Sequence, residues 1–318
     1  MPFKFRSDTK LATFLASLPC FRRTKAISDP VREGFISFPY MGERYQTYYK
    51  CFGEPKGSAR PPLVVLHGGP GLVHNYLIPL ADLTDIADIP VILYDQVGNG
   101  RSTHLRDKPT SFWTIELFIE ELLNLLRYFG IESSFNLLGH SWGGALASEF
   151  EIRRQPAGLR HLILTNSLAS STSWSRANAE LLRFFPETVR EGMNSGMTDP
   201  SGFYAALSAF HEVHGCRQRP LPQEYIYTLD QVFREGGDPT VAAAPILKDW
   251  SIVDKLDRVR VPTLVINGRY DISQDFVVSP FFQRIKSVKW ITFELSSHSP
   301  FWEEKEKYMQ TVDMFLRS

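Results

Sequence analysis

Apolar positions along this chain keep changing their period. In residues 35–40 and 46–52 they alternate with polar ones, the rhythm of half-buried strands, and Gly42 marks a turn between the two. Residues 63–66 and 91–94 are short continuous apolar runs, the pattern of strands buried on both faces, and the loop "GEPKGSARPP" precedes the first of them. From 111 to 128 the period becomes helical, with Ile115, Leu117, Phe118, Leu122, Leu123, Leu125 and Leu126 recurring at spacings of three and four, and Gly130 closes the helix. The alternation then repeats: strand 135–138, helix 142–155 and strand 159–165, followed much later by strand 263–267, helix 281–286, strand 290–294 and helix 303–316. Short buried strands alternating with amphipathic helices predict an α/β architecture, an open, mostly parallel, doubly wound sheet covered on both faces and joined by right-handed connections.

One region breaks this rhythm. Residues 169–245 read as helix and loop with little strand signal, and carry Phe184, Phe185, Phe203, Tyr204, Phe210, Tyr225, Tyr227 and Phe233. A helical insertion between two sheet strands emerges at the sheet edge, where it can cover a ligand. The expected organisation is an N-terminal extension at 1–30, a core made of 31–168 and 246–318, and a helical cap at 169–245.

Bulk composition removes several function classes. Lysine plus arginine and aspartate plus glutamate both number 35, so no net field favours nucleic acid or an anionic membrane surface. No apolar run reaches the length of a transmembrane helix. Residues 11–20, "LATFLASLPC", follow Lys4, Arg6 and Lys10 and loosely imitate a signal peptide; Thr13, Ser17 and Pro19 dilute the imitation, and no clean small-residue cleavage site follows. Cys20, Cys51 and Cys216 are few, scattered and odd in number, which suits free thiols in a reducing, cytoplasmic compartment.

The candidate chemistry sits where strand 135–138 turns into helix 142–155. "GHSWG" places Ser141 between Gly139 and Gly143 in a strand–turn–helix context, the pattern of a nucleophile elbow that holds a serine oxygen above the carboxyl edge of a sheet. The following helix aims its positive end at the same spot. A serine needs a base, and the base needs an orienting acid, which follow the nucleophile in the order acid, then histidine, on this kind of sheet. Asp271 ends the strand of "TLVINGRYD", and His298 lies in "ELSSHSPFWEE" after the next strand. Asp275 competes with Asp271 but falls about a turn later. "HGGPG", His67 to Gly71, follows strand 63–66, and its Gly69 N–H together with the Trp142 N–H is the expected oxyanion hole; His67 reads as a brace of that loop.

In these blocks the chain resembles the proline iminopeptidase family of α/β-hydrolase-fold serine peptidases. "HGGPG", "YDQVGNGRST", "GHSWGG", "INGRYD" and "SSHSPFWEE" look like that family's motifs in the same order, and "FHEVHGCRQRPLPQE" looks like its cap. The resemblance implies removal of an N-terminal residue, often proline, with cap glutamates holding the substrate amine. Glu224 looks like one of these; Thr240, with Asp238 nearby, stands where a second glutamate is expected, and Glu303 or Glu304 is a further candidate for the amine pocket, or simply a solvated helix start. The implied function is a serine hydrolase cleaving a small amide, an aminopeptidase or amino-acid amidase, with no metal or organic cofactor. Its expected partner is a small-molecule or short-peptide substrate, and a homo-oligomer is left open. The alternatives are an ester, lactone or specialised-metabolite hydrolase on the same triad, and a silent binding protein on the same fold, against which the presence of all three triad residues speaks.

Overall fold

Eight strands form one sheet in the computed structural model, which describes residues 32–318. The expected extension at 1–30 lies outside the described residues. The sheet opens with a hairpin, β1 (Arg32–Tyr40) and β2 (Glu43–Phe52), joined by Met41 and Gly42. Both turn residues have positive φ, 49° and 84°, the combination whose twist matches two antiparallel strands across a two-residue loop. The remaining strands are β3 (Leu63–Leu66), β4 (Val91–Tyr94), β5 (Phe135–His140), β6 (Leu159–Thr165), β7 (Thr263–Gly268) and β8 (Val288–Phe293). Their spatial order is β1-β2-β4-β3-β5-β6-β7-β8. β2 pairs antiparallel with β4, and every pairing from β4 to β8 is parallel.

Two consequences follow for function. The carboxyl ends of the parallel strands share one edge of the sheet. In addition β3 has β4 on one side and β5 on the other, so the chain reverses its winding there and opens a crevice between the loops after β3 and β5. "HGGPG" follows β3 and Ser141 follows β5, so both predicted oxyanion donors and the predicted nucleophile flank that crevice.

The alternation of side chains along each strand divides the core in two. Val64, Leu66, Ile92, Leu137, Leu162 and Val265 belong to one cluster, together with α2 (Ile115–Phe129) and α3 (Trp142–Arg154). Leu63, Val65, Val91, Leu93, Leu138, Ile163 and Leu264 belong to the other, together with α1 (Asp82–Ala87). Helix α2 starts at Ile115 because Thr114 caps it, its hydroxyl accepting from Leu117 N at 3.2 Å, and it ends on Gly130 at φ 64°. Four helices fill the span between β6 and β7: α4 (Ser171–Leu182), α5 (Glu187–Ser195), α6 (Pro200–His214) and α7 (Gln223–Phe233).

Two helices depart from the sequence pattern. Helix α8 (Asp275–Arg284) begins six residues before the expected 281 and runs through Pro280. The expected single helix 303–316 is two, α9 (Pro300–Glu303) and α10 (Lys305–Leu316), separated by the non-helical Glu304 at φ −124°, ψ 48°. Its carboxylate reaches back to Leu295 N and Ser296 Oγ, at 3.1 and 2.7 Å.

A buried carboxylate braces the loop leading from β4. Glu121 of α2 accepts from Thr47 Oγ1 at 2.5 Å and from Val97 N at 2.9 Å, with no solvent exposure. Burial raises its pKa from the ordinary 4.5 to about 8, against the lowering effect of those hydrogen bonds. A folded-state value above the unfolded one means stability that is full below 4.5 and lost as pH rises through about 8. Glu121→Gln keeps an acceptor oxygen and removes this titration. Chemical denaturation is therefore expected to show wild type losing stability relative to Glu121→Gln between roughly pH 5 and pH 9; parallel pH profiles for the two proteins contradict this account.

Candidate active site

The elbow is a backbone feature before it is a chemical one. Ser141 stands at φ 54°, ψ −120°, a conformation that L-residues avoid and that stores about 1–3 kcal/mol. The crowding that demands it is measurable. A Cβ on Gly139 would lie 2.2 Å from the Gly143 carbonyl oxygen, and one on Gly143 would lie 2.2 Å from that of Leu66. The first turn of α3 thus presses against the ends of β5 and β3. Trp142 is the first helical residue, so its N–H has no intrahelical acceptor. Gly69 has φ 112°, and no described residue accepts a hydrogen bond from its N–H. Gly69, Ser141 and His298 line one cavity of about 340 Å³.

His298 and Asp271 meet as the chain order predicts. The His298 Nδ1–H donates to Asp271 Oδ1 at 2.6 Å, and the tautomer with that proton has its lone pair at Nε2. Asp271 is fully buried and hydrogen-bonded at both oxygens. Oδ1 also accepts from Ser273 N at 2.9 Å, and Oδ2 accepts from Asn166 Nδ2 at 2.6 Å and Gly268 N at 3.3 Å. Asp275 is elsewhere: it opens α8 and accepts from Asn267 Nδ2 at 3.0 Å, with Arg269 at 3.5 Å.

Several supporting residues were not singled out in the sequence. Asn166 follows β6 at positive φ, 52°, and besides Asp271 it donates to the Ser297 carbonyl at 3.1 Å, joining the acid loop to the histidine loop. The signal available was a polar "TNS" at the carboxyl end of a buried strand. Gln96 receives the Trp142 indole N–H at 2.9 Å, donates its backbone N–H to His67 Nε2 at 3.0 Å and its side-chain amide to the His67 carbonyl at 3.3 Å. It clamps the "HGGPG" loop to the elbow. His67 donates Nδ1–H to Gly68 O at 3.0 Å, as a brace does, and burial lowers its pKa to about 4.

His140 supports the base from the other side. Its Nε2–H donates to the His298 carbonyl at 2.8 Å, while Nδ1 accepts from the Tyr76 hydroxyl at 2.6 Å. Tyr76 Oη in turn accepts from Gly68 N at 2.8 Å. Burial, and next the adjacent His298 ring, push the His140 pKa well below the ordinary histidine value, so the imidazole stays neutral and its donor and acceptor are fixed.

The structure does not bring the two predicted substrate carboxylates into the cavity. Leu72, Trp174, Phe203, Leu207, Phe210 and Phe233 give the lining its apolar character, and among the described residues it includes no Asp, Glu, Lys or Arg. Glu224 sits half-buried in the first turn of α7, one residue before the lining Tyr225. Glu303 is occupied: Oε1 accepts from Arg217 N and Ser297 Oγ, and Oε2 from Ser297 N, each at 2.8 Å. Thr240 donates N–H and Oγ–H to Asp238 Oδ1 at 3.1 and 2.6 Å, while Asp238 Oδ2 contacts His104 at 2.5 Å and Arg106 at 3.2 Å. That cluster lies outside the cavity.

Among known proteins, the α/β hydrolase fold family matches residues 61–305. The proline iminopeptidase of Saccharolobus solfataricus is 34% identical over 279 residues, covering 85% of this chain and 88% of the relative. The crystal structure of VinJ superposes with a TM-score of 0.82 at 38% identity, covering 91% of this chain and 99% of that one. The crystal structure of the Mycobacterium smegmatis proline iminopeptidase gives 0.77 at 34% identity, covering 90% and 98%.

A strained serine, an imidazole with a free lone pair, a buried carboxylate and unpartnered backbone donors can together perform acyl transfer. Ser141→Ala is expected to lower hydrolysis by roughly three or more orders of magnitude and to abolish labelling by a serine-directed fluorophosphonate, with the fold retained. Asp271→Asn is expected to cost about 10³–10⁴-fold in kcat, whereas Asp275→Asn, whose carboxylate serves Asn267 and Arg269, stays near wild type. The reverse ranking of the two aspartates refutes the assignment.

Proposed function

This chain belongs to the proline iminopeptidase family of α/β hydrolases and is a hydrolase, and from that premise we propose that it cleaves a small amide, releasing an N-terminal residue such as proline through an acyl-enzyme. The observation that carries the reading is the shared cavity of Ser141, His298 and Gly69, backed by the His298–Asp271 hydrogen bond. In this mechanism His298 Nε2 takes the Ser141 proton as Oγ attacks the acyl carbon. The developing oxyanion accepts from the Gly69 and Trp142 N–H groups, and Asp271 stabilises the imidazolium and holds its orientation. The imidazolium then gives its proton to the leaving amine. Water, deprotonated by the same ring, releases the acid and restores Ser141.

A second reading, hydrolysis of an ester, lactone or other neutral metabolite, is favoured by one observation: the cavity lining carries no carboxylate to hold a substrate ammonium. Glu224, the cap candidate, is not among the lining residues, although its neighbour Tyr225 is. The partner is a small molecule or short peptide. The free, buried Cys51 and Cys216 and the even charge balance support a cytoplasmic site of action. No helix among the described residues is long and apolar enough to cross a membrane.

The deciding experiment compares kcat/KM for prolyl-p-nitroanilide, its N-acetyl counterpart and p-nitrophenyl esters. A buried ammonium–carboxylate hydrogen bond is worth about 1.5–3 kcal/mol. The aminopeptidase reading therefore expects about tenfold or more in favour of the free amine, and Glu224→Gln is expected to remove that preference while leaving ester hydrolysis unchanged. Equal rates on free and acetylated substrates, unaltered in Glu224→Gln, replace it with the second reading.

A further inference from the structure

The last residues of the inserted helix α6 are fastened to both loops that carry the proposed base and acid. The His298 backbone N–H donates to the His214 carbonyl at 3.1 Å. The His214 Nδ1–H donates to the Tyr270 carbonyl at 2.7 Å, one residue before Asp271. The Arg217 guanidinium lies 3.6 Å above the Tyr270 ring centroid. Glu303 completes the attachment. Its carboxylate takes one hydrogen bond from Arg217 N and two from Ser297, the neighbour of His298, all at 2.8 Å.

Each contact has a direct geometric consequence for the imidazole. The backbone from which His298 reaches Asp271 Oδ1 is held by its N–H on His214, by its carbonyl on His140 Nε2, and by the Ser297 amide on Glu303. Two of these three restraints run to α6 or, through Glu303, to the segment just after it. The histidine loop thus takes its place from the docked insertion as much as from the sheet. Glu303 is half-buried and does not line the cavity, so its carboxylate is spent on this joint rather than on a ligand. A buried carboxylate that accepts three hydrogen bonds is costly to displace, which suits a rigid strut.

We infer that Glu303 is a positioning residue for His298: its carboxylate clasps the segment after α6 to the histidine loop, so that docking of the inserted helices sets the imidazole against Ser141 and Asp271. The inference rests on the reading of His298 as the base, not on the identity of the substrate.

The test uses the full chain with p-nitrophenyl acetate and prolyl-p-nitroanilide, and kcat is expressed per active site titrated by the ester burst or by fluorophosphonate. In Glu303→Ala, kcat per titrated site is expected to fall about 10–100-fold on both probes, with KM changed less than about threefold, because a misplaced base slows the chemistry of any acyl substrate. Glu303→Gln retains a carbonyl acceptor for part of the joint and is expected to recover an intermediate rate. Ser297→Ala removes one of the three hydrogen bonds and is expected to give a smaller loss of the same kind. Four results overturn the inference. A loss confined to prolyl-p-nitroanilide and expressed in KM makes Glu303 an amine-binding residue. A lower melting temperature with unchanged kcat per titrated site makes it merely structural. Full turnover in both Glu303 variants beside an inactive His298→Ala removes the clasp and leaves the base in place, whereas an active His298→Ala removes the base assignment itself.

Discussion

The site depends on one close approach, that of the first turn of α3 to the ends of β3 and β5. Gly139 and Gly143 permit it, since any Cβ at either position would collide with a backbone carbonyl. Once the approach is made, three things follow without further design. Ser141 is driven to a positive φ that lifts its side chain off the sheet edge. The Trp142 N–H, the first of the helix, is left without an intrahelical partner at the winding reversal. The loop after β3 comes close enough that a Cβ on Gly68 would sit 3.1 Å from Ser141 Cβ, which brings Gly69 alongside. Ser141 strain is sustained because its own backbone is held at both ends, its N–H donating to Thr165 O at 3.0 Å and its carbonyl accepting from Gly144 N at 2.9 Å.

Neutral histidines make up the next layer. A buried imidazole that cannot charge has one donor and one acceptor, and so it can be used as a directional two-ended connector. His67 connects Gly68 to Gln96, and His140 connects Tyr76 to the His298 carbonyl. Protonation of His140 would turn its Nδ1 into a donor facing the Tyr76 hydroxyl, which already takes a hydrogen bond from Gly68 N; the hydroxyl would have to turn away and lose its acceptor. Burial prevents this by making the charged form unfavourable. Where a carboxylate is used instead, as at Asp95, the opposite balance holds. Burial raises its pKa, but His74 and the backbone donors of His74 and Arg101 outweigh that and bring it to about 2, so it stays ionised and fixes the turn at Gly100.

What the sequence made legible was whatever periodicity or backbone necessity controls. The strand runs and α2 were readable because burial on one or two faces leaves a period in the residues. The elbow, "HGGPG" and the order Ser141, Asp271, His298 were readable because glycines and chain order mark turns at strand ends. The start of α8 at Asp275 is not marked by periodicity, because the helix runs through an interior proline, Pro280, which lacks a backbone donor and ordinarily argues against helix. The break at Glu304 was missed because it arises from a carboxylate folding back on a distant-looking Ser296, which no local pattern encodes. Glu303, which with Glu304 reads in the sequence either as a candidate for the amine pocket or as a solvated helix start, accepts from Arg217 and Ser297, partners that only the three-dimensional path of the segment after α6 reveals. Asn166 stands in a polar tripeptide that gives no hint of its reach to Asp271 across 105 residues.

The electrostatic character of the cavity then follows from what is kept out of it. Among the described residues its lining includes no Asp, Glu, Lys or Arg, and its walls are largely aromatic and aliphatic. In such surroundings the effective dielectric is low, and fixed dipoles act more strongly than they would in water. The fields that remain are the backbone N–H groups of Gly69 and Trp142, the positive end of α3 and the buried Asp271 behind the imidazole. All of them favour one charge distribution, an oxyanion at the sheet edge and an imidazolium beside the aspartate. A cationic side chain in the lining would have bound anionic ground states, and an unpaired carboxylate there would have opposed the oxyanion. Keeping Glu303 committed to the joint behind the histidine loop preserves that distribution: it supplies mechanical support at the base without placing a second negative charge in the space where the transition state forms.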